Sequence, residues 1–419
     1  MGDGRATERF RLFKLVFVPV LVFSLLGQMA VVWTQLPDIG AGHFDFVLYY
    51  NAARIVRDGK RTQLYDLKLQ RDYQKGFGVA DKDRDLPFNH LPYELLLLLP
   101  LAGFSFPVAH GLWAAVNLLL LGCVLLRLLP FVTPSYRWML SLMLFAFFPT
   151  LTALKMGQDS VLTTYLLVEA FASLKCKAYA RAGGVLALGL YKPQFVLPIA
   201  GILFFQRRWP AVAGFLLTAA LVVGVSLAMT GWDGLMGLVA LWLPMVERGH
   251  VVWPELMINL RGLAHMTLSL GGFAGATNLA TAVLSIVVYC WVLRLWRRES
   301  DEKSACFDLQ YALAVVATAL VSFHLYSYDS LLLFVPLALT LNHVLAERRR
   351  KTTAGRRWFL VALIGLFFPL LPNALLGFAM LAWWALPLPL IFWCIASEIA
   401  CMRAQPPAPG ARPGFEAGQ

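Results

Sequence analysis

The chain has 419 residues, 59% hydrophobic and only 14% charged, with a mean hydropathy of +0.66; a soluble protein of that length does not carry so much apolar surface, and a polytopic membrane protein is expected. The formal charge of +12 sits in short basic clusters between apolar runs, as in cytoplasmic loops facing anionic lipid, which argues against nucleic acid as a partner. The six cysteines show neither Cys-x-x-Cys nor Cys/His spacing, so no disulfide framework and no zinc site is indicated.

Arg5, Arg9, Arg11 and Lys14 precede an apolar run from Leu15 to Trp33 that lacks a small-residue cleavage site, so an uncleaved first helix with its N-terminus inside is expected. It delivers a first outer loop, 36–90, whose nine Lys/Arg and eight Asp/Glu nearly balance. Long loops translocate largely regardless of charge. This loop opens with His43-Phe44-Asp45-Phe46-Val47-Leu48-Tyr49-Tyr50-Asn51-Ala52-Ala53-Arg54, an acid followed by aromatics and an arginine at helical spacing just where the chain leaves the membrane. Asp45 reads either as a solvated helix cap or as the catalytic group of a reaction at the bilayer surface; the rest of the chain favours the second. The run from Leu91 to Pro100, with Glu94 inside it, is too short to span and fits a segment in the interface.

Longer runs follow at Val108–Leu129, Trp138–Leu154, Val161–Leu174, Val185–Phe205, Ala211–Met229, Leu279–Leu295, Ala312–Phe323, Leu331–Leu345, Phe359–Leu376 and Leu381–Ala400. Lys192-Pro193 breaks one of these into half-helices, giving about 12 hydrophobic segments in a single all-α domain, 1–403, with a disordered cytoplasmic tail at 404–419. If the short run at Leu91 does not span, every later basic cluster, from Arg127 to Arg403, falls on the inner side. Lys155 to Asp159, the long loop Gly231–Gly272, and His324 to Asp329 then share the outer face with Asp45.

Ionisable groups at a membrane edge are costly, which singles out Lys155, Asp159, Lys192, His324 and Asp329. Gln158 with Asp159 is either a helix start or a set of acceptors for sugar hydroxyls. Lys192 is either a snorkelling lysine at a kink or a phosphate partner. His324, beside Tyr326 and Asp329, is either satisfied structurally or part of the site. Arg261 either anchors at the interface or grips a phosphate. No Gly-rich phosphate loop, Gly-x-Ser-x-Gly elbow or His-Glu-x-x-His is present, so soluble nucleotide-dependent chemistry has no support.

Asp45 with Tyr49-Tyr50 and Ala52-Ala53-Arg54, Gly59 with Leu64-Tyr65-Asp66, Gly157-Gln158, Lys192-Pro193 and His324-x-Tyr326-x-Tyr328-Asp329 together resemble glycosyltransferase family 87, over about residues 40 to 345. The resemblance implies a GT-C membrane enzyme of the bacterial inner membrane, with its active site on the extracytoplasmic side. Its donor would be a polyprenyl-phosphate sugar and its acceptor a lipid or glycan. An aspartate in the first outer loop, here Asp45, would be the base. The chain departs from the family at His90-Leu91-Pro92, where Tyr-Pro-Pro is frequent. In an inverting transfer the leaving phosphate needs cations, for which His324, Lys192 and Arg261 are candidates and Arg54 a reserve. No nucleotide cofactor and no protein-bound metal is required, which leaves open a divalent ion between Asp45 and Asp159. A transporter or flippase of lipid-linked sugars and a polysaccharide ligase are the competing readings; the first lacks an internal repeat, and the second is expected to carry its main loop late in the chain.

Overall fold

The computed structural model describes residues 2–79, 86–248, 253–297, 301–346, 353–367 and 385–404. All regular structure among them is helical, as expected. The helices are α1 (Gly2–Thr34), α2 (Leu36–Gly40), α3 (Phe46–Arg57), α4 (Leu67–Gln74), α5 (Phe106–Leu128), α6 (Arg137–Ala146), α7 (Phe148–Met156), α8 (Ser160–Lys175), α9 (Tyr179–Ala187), α10 (Pro193–Phe205), α11 (Trp209–Arg248), α12 (Leu260–Leu270), α13 (Thr277–Trp296), α14 (Ala305–Val321), α15 (Phe334–Ala346), α16 (Ala354–Leu366) and α17 (Pro387–Ala404).

By length and composition, six helices among the described residues can cross a bilayer, or seven if the bent pair α6–α7 counts as one span. The expected segments number about 12, and the difference lies in shorter pieces: α8 has 16 residues, α10 has 13 and α14 has 17. The end of the run Phe359–Leu376, the start of Leu381–Ala400 and the tail from residue 405 lie outside the described residues. Among its described residues Gly231–Gly272, expected as a loop, is largely helical. Helix α11 continues past Gly231, where φ of 71° and ψ of 177° bend it, and α12 follows.

Helix α14, buried at nearly every position from Phe307 to Leu320, runs through the centre of the bundle. Helices α9 and α11 meet without side chains between them: a Cβ on Gly183 would collide with the Ala211 carbonyl, and one on Gly214 with that of Ala180.

The described part of the first loop, 36–79 and 86–90, is not loose. It packs a second, smaller core from Phe46, Tyr49, Tyr50, Ile55, Leu64 and Phe88 against Leu95 and Trp113. Helix α3 stops at Gly59, whose φ of +80° suits a residue without Cβ, and Asp66 caps α4 by accepting from the amides of Lys68 and Leu69. The interfacial run forms two short 3-10 stretches, Pro92–Leu97 and Leu99–Gly103.

Candidate active site

Three breaks in regular helix converge with the start of α3. The first is the turn between α7 and α8. There Gly157, with φ of +66°, lies so close to Phe46 that a Cβ would collide with the base of that side chain. The second is the gap between α9 and α10, held by Tyr93: its hydroxyl donates to the Leu188 carbonyl at 2.8 Å and accepts from the Tyr191 amide at 2.9 Å. The third is the stretch after α14, tied to the entry of α12 by the Ile258 amide donating to the Leu325 carbonyl at 2.8 Å.

Asp45 occupies the N-cap position of α3, yet its side chain caps nothing. The half-buried carboxylate instead accepts from Gln158 Nε2 at 2.7 Å. Burial raises its pKa above the usual aspartate value; the bond from Gln158, the nearby Lys192 charge and the Tyr328 hydroxyl hold the rise back. Gln158 is the centre of a small network. Its Oε1 accepts from the Tyr49 hydroxyl at 2.9 Å and lies 3.5 Å from Lys192 Nζ.

Lys192, only 3% exposed, does not point at open space. Its Nζ is ion-paired with Asp159 and, at 2.6 Å, with Asp329 Oδ1, which also accepts from Ser160 Oγ at 2.8 Å. Beside them His90 Nδ1 is 2.6 Å from Glu94 Oε2 and 3.4 Å from Asp159 Oδ2. Burial, with the Asp159 charge behind it, pushes the Glu94 carboxyl well above the usual carboxylate range. Burial also lowers the His90 imidazole to about 4, leaving it neutral. Ligand atoms of His90, Glu94 and Asp159 lie within 4.8 Å of one another, a mixed nitrogen and oxygen set that a divalent ion could use; Lys192 already neutralises Asp159 there.

On the other side of Tyr328 lies a different environment. The rings of His324, Tyr326 and Tyr328 follow one another at 5.8 and 5.9 Å. Burial lowers His324 to about 4, so at neutral pH it offers a hydrogen bond and no charge; its Nε2 is 3.2 Å from Gln194 Nε2. Arg261 is only 6% exposed, with its guanidinium 4.4 Å from the centroid of the Phe323 ring and with Nε and Nη1 making no hydrogen bond. Asn259 holds it there by capping α12 at the Gly262 amide and donating to the Ser322 carbonyl at 2.8 Å. A buried guanidinium with unused donors calls for an anion.

The structure thus brings together Asp45, Gln158, Asp159, Lys192 and Asp329, and gathers His324, Tyr326 and Arg261 beside them. Lys155 stands near Asp45 but donates to Gln35 Oε1 at 2.9 Å and lies over the Phe44 ring. Arg54 is not in the group: it stacks over Tyr50 and Tyr73 farther along α3. Sequence reasoning quoted Tyr49 and Tyr328 only within the family motifs and His90 only as a departure from them, and named none of Glu94, Ser160 and Gln194 as a site residue. An acid inside a short apolar run, four residues after a histidine, is the signal that points to His90 and Glu94.

The family model for glycosyltransferase family 87 matches residues 90–323, more than half the chain. The chain belongs to glycosyltransferase family 87. No curated protein and no solved structure gives a significant match. This family 87 protein is therefore a multi-pass membrane glycosyltransferase. The matched region includes Glu94, Gln158, Asp159, Lys192 and Arg261, whereas Asp45 precedes it and Tyr326 to Asp329 follow it. Asp45 is joined to the matched region through its bond from Gln158.

Proposed function

We propose that the enzyme moves a hexose, mannose by family resemblance, from a polyprenyl-phosphate sugar to a lipid or glycan acceptor, with Asp45 as general base. The observation that carries this reading is the placing of opposite charges at the two ends of one ring series. The Arg261 guanidinium, with Nε and Nη1 free of hydrogen bonds, lies over Phe323 at the start of the series Phe323, His324, Tyr326, Tyr328; Lys192 lies over Tyr328 at its end, 5.6 Å from that ring, and Gln158 links Lys192 to the Asp45 carboxylate. A sugar lying between Asp45 and Arg261 would have its attacked face toward a proton acceptor and its phosphate toward a cation.

In that pose an acceptor hydroxyl attacks the anomeric carbon. The new C–O bond forms as the bond to phosphate breaks, the hydroxyl proton passes to Asp45, and the configuration inverts. The departing polyprenyl phosphate takes the electron pair and gains a negative charge, which Arg261 stabilises directly and His324 through a hydrogen bond. The donor is already activated by its phosphate, so no nucleotide enters any step. The basic clusters support an extracytoplasmic site in a bacterial inner membrane with both termini in the cytoplasm, in one integral membrane domain.

The test is incubation of the purified protein with polyprenyl-phosphate mannose and a membrane lipid extract. A new glycosylated lipid or glycan is expected. Movement of the donor across vesicles without transfer would replace this reading by a transporter, and transfer from a different polyprenyl-phosphate hexose alone would correct the sugar.

A further inference from the structure

Gln158 is placed to act on the base, not on the sugar. An amide cannot turn freely between Lys192 and Asp45: the ammonium can only donate and the carboxylate can only accept. Its Oε1 must therefore face Lys192 Nζ, 3.5 Å away, and its Nε2 must face Asp45 Oδ2, 2.7 Å away. The Tyr49 hydroxyl, buried on the inner face of α3, donates to the same Oε1 at 2.9 Å and so reinforces that orientation.

Resting on the assignment of Asp45 as base, we propose that Tyr49 and Gln158 form a positioning relay that aims the Asp45 carboxylate, and that Lys192 contributes to catalysis through this relay instead of touching the donor phosphate. Gln158 is 3% exposed, and its oxygen is already engaged by two donors, so it has little left with which to accept a sugar hydroxyl. Lys192 is likewise committed to Asp159 and Asp329. The base is held by both ends of one helix start: Tyr49, one turn into α3 from Asp45, fixes the amide that fixes Asp45.

The charged and titratable groups that face Asp45 are Lys192, Lys155, Asp329, Tyr49, Tyr326 and Tyr328. Removing the Gln158 donor takes away a bond to the ionised carboxylate, so the proton is held more tightly and the acid limb of the rate profile moves to higher pH.

The experiment compares wild type, Gln158→Leu and Tyr49→Phe in single-turnover transfer from polyprenyl-phosphate mannose across pH, with donor binding measured in parallel on the full-length protein. Expected is a loss of about tenfold to 10²-fold in the chemical step, as for a misaimed catalytic group. Donor Kd should be unchanged, and the acid limb should shift upward in Gln158→Leu. Tyr49→Phe should show a smaller loss of the same kind, because Lys192 still orients the amide. Weakened donor binding with an unmoved pH profile would overturn the relay and make Gln158 a sugar ligand. Near-normal transfer by Asp45→Asn would instead remove the base assignment, a separate failure visible in the same assay.

Discussion

Lys192 Nζ stands 2.6 Å from Asp329 Oδ1 although 137 positions separate the two residues, and both are almost wholly buried. The pair joins the break between α9 and α10 to the stretch after α14, and the second contact of Lys192, with Asp159, adds the turn before α8. One cation thus ties three chain breaks into a single site. Removing it leaves two buried carboxylates facing each other.

The first prediction follows from that loss. Lys192→Met should lower stability by about 3–5 kcal/mol, the usual cost of stranding buried charge, and the double variant Lys192→Met/Asp329→Asn should recover part of it. Thermal unfolding in detergent reads this. Unchanged stability with weakened donor binding would mean that Lys192 serves the phosphate after all.

Asp45→Asn tests the base. Asparagine retains the size and can still accept from Gln158 Nε2, so insertion and donor binding should persist while transfer falls by about 10² to 10⁴-fold. Asparagine also caps helices about as well as aspartate, so a purely capping role predicts full activity. Single-turnover transfer decides between them, and the side chain's failure to cap α3 in the structure favours the loss.

The helical architecture was legible because uninterrupted apolar runs leave few alternatives, and the break at Lys192-Pro193 because proline cannot continue a helix. The second half of α11 was missed: Gly231 reads as a stop, yet here it only bends the chain at a positive φ. The polar set was legible as a set, since charges at apolar helix ends stand out, but their pairing was not. Nothing in the spacing of Lys192, Asp159 and Asp329 says that one lysine satisfies both acids, because that depends on how three breaks meet in space. Arg54 was misplaced for a related reason: nine residues along a helix carry a side chain about 13 Å from Asp45.

Arg261→Met should leave the free protein close to wild type in stability, because the contact with the Phe323 ring is lost but Nε and Nη1 have no hydrogen-bond partner to lose. Donor affinity should fall by about 10- to 150-fold, equivalent to the roughly 1.5–3 kcal/mol of a hydrogen bond to a charged group. Arg261→Lys should restore the charge but not the paired geometry, giving partial recovery. Equal donor binding in all three forms would move the phosphate site away from α12.

The last prediction concerns pH. Burial raises the Asp45 carboxyl above 3.8, its ordinary value, with Gln158, Lys192 and Tyr328 opposing the rise. As a general base Asp45 works only when ionised, so transfer should be lost as pH falls through this raised pKa and should reach a plateau above it. The midpoint of the acid limb is therefore expected above that of a solvent-exposed aspartate, about 3.9. His324, held down to about 4, is neutral over most of the same range; if it donates to the leaving phosphate as a neutral imidazole, its titration adds no alkaline limb near pH 6 to 7. If it must instead be protonated, bound phosphate would have to raise its pKa, and activity would fall as pH rises through that value. His324→Gln distinguishes the two, since glutamine can donate a hydrogen bond but cannot titrate. With the neutral imidazole mechanism, the variant keeps substantial transfer and an unchanged pH profile from pH 5 to 8; loss of an alkaline limb present in wild type would show that His324 acts as a cation.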